Sequence, residues 1–570
     1  MQYTSVAAAA TALLVVILNT ACTMRTLEPQ AAGDTLRSSL DKLVTDHSTS
    51  NSPGFALAVV SKGELIYQSQ SGLANIEHGI AITGDTPFDV ASLSKQFTAM
   101  AIALLIDQGK VSLDDDVRMY LPELPDYGST IRIRHLLYHT SGIQDWIGLM
   151  LVAGWNFEDM ITADSVDKLI RSQNKLNFVP GTDYRYSNSG YVLLSQIVAH
   201  VTGERFGEWM TTNVFSPLGM VNTQVLDDPH ALVLGRAKAY AANQNRSFDA
   251  MGHSAAVPGS GSVFSTAKDL GRWMVNFQHP VAGFEAIINM MKIPGTLDDG
   301  KPISYGFGNA FSLGDNETHK ISHRGKWPAF NAAMHYYPRE QLSFAILANS
   351  DSVNIGKVSQ QIETIFGVPS QANTFKPLLA EPDLRLDPEQ IAQLPGIYLR
   401  KENQHMAEIV LEDGSLWYLW NATDGRPLQR IGDFTFRMLD FFADTILSFP
   451  PGSGRMDVTE NGESWTYDRA ERAFYSPSET CELSGVYSNL SLSSVFHIKA
   501  SPDSLLMTHL RLEGMIFRSH PTEDKFVSQE ASIPMITFTR KENGLVDGFD
   551  IEQGWNRPIH FEKTESASCQ

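Results

Sequence analysis

Three cysteines, Cys22, Cys481 and Cys569, are all that the 570 residues contain. That is too few for a fold framed by disulfides. No Cys or His cluster has the spacing of a zinc site, so neither a structural metal nor a cofactor is expected. Positive charge is short as well: 44 Lys and Arg stand against 64 Asp and Glu, for a net charge of −20. An acidic surface disfavours nucleic acid and anionic membrane as partners. No block of like charge marks a disordered tail. The apolar run from Val6 to Leu18 is too short to cross a bilayer comfortably and reads as the core of a signal peptide, although Met1 to Ser5 carries no Lys or Arg.

What is present is ordinary for a soluble globular protein: 43% hydrophobic and 19% charged residues. The length implies two to four domains. Asn19-Thr20-Ala21-Cys22 is similar to a bacterial lipoprotein processing site, with Asn19 where an aliphatic residue is usual. The expectation is a signal peptide over 1–21 and a protein exported to the periplasm or cell envelope. Membrane contact would come only through a lipid on Cys22; the plainer alternative is an uncleaved N-terminal anchor. In an oxidising compartment Cys481 and Cys569 could pair.

Leu36, Leu40, Leu43 and Val44 recur at helical spacing, which predicts an amphipathic helix over Thr35 to Ser48. Gly54 to Val60 and Leu65 to Ser71 predict a hairpin. Asn331 to Tyr337 and Gln341 to Asn349 predict another, followed by a helix from Val353 to Phe366. Strands from both ends with helices between them make an α+β domain, assigned to 22–366. The stretch 367–390 carries Pro369, Pro377, Pro382 and Pro388 and reads as a linker. Short alternating strands follow. Gln393-Leu394-Pro395-Gly396-Ile397-Tyr398 is echoed by Glu482-Leu483-Ser484-Gly485-Val486-Tyr487. This internal repeat predicts two small antiparallel β units, 391–478 and 479–570, each a barrel-like domain.

Ser92-Leu93-Ser94-Lys95 fits S-x-x-K, but so do segments starting at Ser39, Ser165, Ser172 and Ser265. Context separates Ser92 from the rest. Phe97, Met100, Ala101, Ile102, Leu104, Leu105 and Ile106 follow without a polar face, the pattern of a buried central helix. Residues three apart share a helix face, so Lys95 lies beside Ser92. A serine hydroxyl needs a neighbour to take its proton, and a desolvated lysine can do so. Tyr186-Ser187-Asn188 fits Y-x-N in a loop before a helix from Val192; Tyr487-Ser488-Asn489 repeats the triplet inside a β unit. Tyr186 can shuttle a proton if cationic neighbours favour its phenolate, and Asn188 can donate its amide to a substrate carbonyl. His323-Arg324-Gly325 precedes the second hairpin. Gly325 would let a substrate approach a strand edge, and the backbone N–H of Lys326 could face that of Ser92 as an oxyanion hole.

S-x-x-K, Y-x-N and H-x-G in that order resemble the serine β-lactamase and D,D-peptidase (penicillin-binding protein) superfamily. The H-x-G form is similar to its class C-like esterase and D-aminopeptidase branches. The stretches Arg134 to Gly142 and Gly259 to Leu270 share the likeness, which covers Leu36 to Phe366. The resemblance implies a β-lactamase-like antiparallel sheet with flanking helices. It makes Ser92 the nucleophile, gives Lys95 and Tyr186 the base and acid duties, and puts His323 in place of a lysine. That replacement argues against efficient β-lactam turnover, because the family's lysine holds the β-lactam carboxylate. Arg324 and Lys326 either bind a substrate carboxylate or point to solvent. The two β units are similar to the paired lipocalin-like barrels of D-aminopeptidases. By that likeness a loop of one unit would bring an acidic group to a substrate amine, with Pro521-Thr522-Glu523-Asp524 the candidate. Truncation after Phe366 would then leave Ser92 reactive and change the substrates accepted. The expected activity is hydrolysis of a small amide, peptide or ester through an acyl-enzyme. The competing readings are a penicillin-recognising sensor that acylates and stops, and a cell-wall-binding protein without turnover.

Overall fold

The computed structural model describes residues 29–567 apart from 48–49, 244–246, 315–316, 369–387, 413, 421–423, 439–444, 461–462, 529–532 and 555. The expected signal peptide, Cys22, most of the expected linker and Cys569 lie outside the described residues. Cys481 is disulfide-bonded.

A seven-stranded antiparallel sheet organises the first part of the chain. Its order is Tyr305–Gly306, Asn309–Gly314, Glu317–Trp327, Phe330–Tyr337, Leu342–Ala348, Phe55–Ser61 and Glu64–Ser71. Both expected hairpins are there, and they join because Phe55–Ser61 pairs with Leu342–Ala348. Alternation along Phe55–Ser61 divides the core. Phe55, Leu57 and Val59 pack with Leu40, Leu43, Val358 and Ile362, from the helices Pro29–His47 and Ile355–Ile365. Ala56, Ala58 and Val60 face the other way, into the main cluster with Phe97, Met100 and Trp273. The small alanines on that face let the helix Ala267–Gln278 lie close to the sheet.

The central helix spans Ser94–Asp107, and every residue from Ser94 to Leu105 is buried. Its lack of a polar face has the expected cause: it is enclosed by the helices Asn188–Thr202 and Glu285–Met291 and by Trp273 of the helix Ala267–Gln278, which meets Phe97 and Gln96.

Two closed eight-stranded antiparallel barrels follow, Gly396–Ala470 and Gly485–Ser566. The sequence repeat has a physical content at the start of each. The Tyr398 hydroxyl donates to the Leu394 carbonyl at 2.8 Å, and the Tyr487 hydroxyl to the Leu483 carbonyl at 2.7 Å. Among the described residues no helix is long and apolar enough to cross a membrane.

Candidate active site

Ser92 sits in a single 3₁₀ turn, Ala91–Leu93, that leads directly into the central helix. The turn is strained. Ala91 has φ +46°, a region that side-chain-bearing residues rarely enter. Asp89 holds it there by accepting the Ala91 N–H at 2.7 Å, and the same carboxylate meets His253 Nε2 at 2.5 Å. Neither Asp89 nor His253 stands out in the sequence.

One helical turn on, the fully buried Lys95 places Nζ 3.1 Å from Ser92 Oγ. The amine also donates to Asn188 Oδ1 at 2.8 Å and to the Ser260 carbonyl at 2.8 Å. The Tyr186 and Tyr191 rings lie 4.9 and 5.7 Å from it. Burial pulls its pKa down from 10.5 to about 7, against the opposing pull of the Asp145 carboxylate.

Tyr186 follows a different course from the one its motif suggests. Burial pushes its phenol far above the ordinary tyrosine value, with Ser92 providing a smaller opposing effect. The hydroxyl therefore stays protonated rather than forming a phenolate. It is buried without a hydrogen bond of full geometry, ready to donate or accept when a substrate arrives.

Asn188 is the first residue of its helix and is turned inward. Its amide Nδ2 donates to Asp145 Oδ2 at 2.8 Å, and its backbone N–H reaches the same oxygen at 2.5 Å. The amide expected to meet a substrate carbonyl thus spends a donor on Asp145. Asp145 itself caps the helix Trp146–Val152 by accepting the Ile147 N–H at 2.9 Å.

His323 lies on Glu317–Trp327. Its Nδ1 is 2.7 Å from the Arg324 carbonyl, which can only accept, so Nδ1 carries the proton and Nε2 accepts the Tyr305 hydroxyl at 2.9 Å. Burial and the Lys95 charge drive its pKa down to about 3. It is a neutral ring and brings no positive charge to the site. His139 is also buried, with φ +59°, and its ring lies tilted against Tyr186 and Tyr305, 4.2 and 4.5 Å between centroids. Its Nδ1 accepts the Ser187 N–H at 3.1 Å.

Gly325 differs from expectation. The group that approaches it closely belongs to the protein: a Cβ there would stand 2.1 Å from the Val90 carbonyl oxygen and 3.2 Å from Ala91 Cβ. Its lack of a side chain seats the nucleophile turn against the strand. The strand edge nonetheless opens here, because pairing with Asn309–Gly314 ends at Ser322. Arg324 and Lys326 are exposed, on alternate positions from the buried His323 and Gly325. Arg324 reaches toward Gly356 at the start of the Ile355–Ile365 helix, away from Ser92.

In the segment Pro521 to Asp524, Glu523 is exposed and its neighbours are engaged within the barrels. Asp524 forms a two-point pair with Arg540 at 2.7 and 2.8 Å, and Thr522 bonds to Gln404 of the first barrel. Among the described residues no group of three or more His, Cys, Asp or Glu is placed to hold a metal ion.

A family model described as Beta-lactamase matches residues 40–357. "Penicillin-binding protein 4*" of Bacillus subtilis is 28% identical over 375 residues, covering 62% of this chain and 78% of that protein. A "D-aminopeptidase" of Gluconobacter oxydans is 26% identical over 363 residues, covering 63% of this chain and 65% of that protein, just under two thirds of its length. The octameric penicillin-binding protein homologue from Pyrococcus abyssi superposes with a TM-score of 0.53 at 20% identity, covering 76% of this chain and 99% of that one. "EstCE1, a hydrolase with promiscuous acyltransferase activity" superposes at 0.50 with 21% identity, covering 59% and 99%. The two structural likenesses show the fold.

Proposed function

The chain belongs to the Beta-lactamase family, and from that premise we propose that it hydrolyses small amides or esters through an acyl-enzyme on Ser92. The observation that carries this reading is the buried Lys95 amine, 3.1 Å from Ser92 Oγ with a pKa of about 7. A neutral amine has two N–H groups and one lone pair. The N–H groups match Asn188 Oδ1 and the Ser260 carbonyl, and the lone pair is left for the Ser92 hydroxyl.

Ser92 Oγ bonds to the substrate carbonyl carbon as its proton passes to Lys95 Nζ. The oxyanion takes the backbone N–H groups of Ser92 and Lys326. The carbon–leaving-group bond then breaks, with the Lys95 proton relayed through the Tyr186 phenol to the departing amine or alcohol. Water repeats the sequence on the acyl-enzyme, giving up its proton to Lys95 and restoring the Ser92 hydroxyl. Neutral His323 offers no cation for a substrate carboxylate, which favours neutral or amine-bearing substrates over β-lactams. The names of the D-aminopeptidase relatives make D-aminoacyl amides the first to try. The apolar N-terminal run and Cys22 support export to the cell envelope.

The test is a fluorophosphonate probe, followed by a panel of short esters, D-aminoacyl amides and β-lactams. Ser92→Ala is expected to abolish labelling, and the esters and amides to turn over steadily. Labelling that persists at another serine overturns the assignment. A single burst without turnover makes the protein an acylated sensor instead.

A further inference from the structure

The helix Trp146–Val152 has two hosts. Trp146 and Met150 belong to the main hydrolase core, whereas Leu149, Val152 and Ala153 belong to the core cluster of the second barrel. The barrel also reaches past this helix to its first turn. Asn556, buried in the turn between Val546–Glu552 and Ile559–Ser566, uses both ends of its side-chain amide on one residue. Its Oδ1 accepts the Asp145 N–H at 2.6 Å, and its Nδ2 donates to the Asp145 carbonyl at 3.1 Å. An amide of this length copies the pairing of a neighbouring strand and fixes the backbone of residue 145. Gly148 makes room for it: a Cβ there would stand 2.5 Å from Asn556 Nδ2. Beside it, the Arg557 N–H donates to Asn177 Oδ1 at 2.6 Å.

The contact continues inward without a break. Asp145 Oδ2 receives the backbone and side-chain N–H groups of Asn188, and Asn188 Oδ1 receives Lys95 Nζ. We propose that Asn556, carried by the second barrel, is a positioning residue for the hydrolase site, fixing Asp145 so that its carboxylate aligns Asn188 and through it the Lys95 amine. The proposal rests on the reading of Ser92 and Lys95 given above. It assigns the second barrel a part in nucleophile activation that its own sequence does not announce.

The groups facing Lys95 are Asp145, Tyr186, Tyr191, His139 and His323. Asp145 raises the lysine pKa, so its withdrawal lowers it further.

The experiment follows fluorophosphonate labelling of Ser92 against pH in the full-length protein and three variants. Asn556→Leu removes both hydrogen bonds at similar volume. Asn556→Asp keeps the acceptor for the Asp145 N–H but cannot donate to its carbonyl. Arg511→Ala is the control, breaking another contact across the same interface: Arg511 pairs with Asp159 at 2.9 Å and lies over the Trp155 ring. Asn556→Leu is expected to slow labelling about 10²-fold, the scale of a small misplacement of catalytic groups, and to move the acid limb to lower pH. Asn556→Asp is expected to fall between it and the wild type, and Arg511→Ala to match the wild type in both respects. Equal losses in Asn556→Leu and Arg511→Ala, or an unchanged Asn556→Leu, overturn the proposal. Should Asn556→Leu not fold, labelling of Asn556→Asp at the wild-type rate does so alone. No labelling of the wild type overturns the acyl-transfer reading itself.

Discussion

A lysine enclosed by tyrosine rings, the Asn188 amide and one backbone carbonyl is expensive to keep charged, and that cost fixes how the site responds to pH. With Lys95 at about 7, the neutral amine predominates above that pH and the ammonium below it. On a neutral ester, kcat/KM is expected to rise about tenfold per pH unit below this point and level off above it, the behaviour of a single essential base. A limb centred above pH 9 would remove Lys95 as the base. The same shift affects folding. Between about 7 and the ordinary lysine value of 10.5, the unfolded chain holds a proton that the folded chain has released. Stability from this group therefore grows as pH rises through that window. Ser92, Lys95, Tyr186, Asn188 and His323 could be picked out because each lies within a short spaced motif. Asp145 and Tyr305 could not, because they reach the site from separate segments, and His139 was marked only as part of the stretch Arg134 to Gly142. Asp145 left one local trace: an aspartate immediately before the apolar run Trp146 to Val152 has the pattern of a helix N-cap.

The element that locates the nucleophile is a junction of three pieces: the strained turn at Ala91, the first turn of the central helix and the strand carrying Gly325. Sequence patterning showed the helix and the strand hairpin, because each has its own periodicity. It did not show that they touch through Gly325, since a lone glycine in a strand fits an open edge as well as a close approach. Gly325→Ala tests the junction. The added Cβ, 2.1 Å from the Val90 carbonyl oxygen, meets backbone that can yield only by displacing the Ser92 turn. The expected result is a loss of about 1–3 kcal/mol in stability, as for overpacking. Ser92 labelling should slow by about 10²-fold, as for a misplaced catalytic group. Thermal unfolding and the probe measure the two separately. Normal labelling in a destabilised variant would mean that the turn keeps its shape without the close contact.

At the scale of the whole molecule, the two barrels were legible as a repeat, yet the second barrel's contact with the helix Trp146–Val152 was not. The sequence-based expectation was that truncation after Phe366 leaves Ser92 reactive and changes the substrates accepted. The structure adds a contact that this expectation did not contain: Leu149 and Val152 are fully buried in the second barrel's core, on a helix capped by Asp145. Stability and activity should therefore be joined at this helix and separate elsewhere in the barrel. Leu149→Ala and Leu505→Ala in the full-length protein make the comparison, since Leu505 is buried in the same cluster but lies on a barrel strand. Each truncation is expected to cost about 2–5 kcal/mol, the usual range for a buried leucine. Only Leu149→Ala should also slow the labelling of Ser92, because the cavity it leaves lets the helix shift and carries Asp145 with it. Measurement well below both unfolding transitions keeps loss of folded protein out of the rate. Equal labelling of both variants and the wild type would mean that the barrel supports this helix without tuning the chemistry. Slower labelling in Leu149→Ala alone would place the second barrel within the working unit of the enzyme.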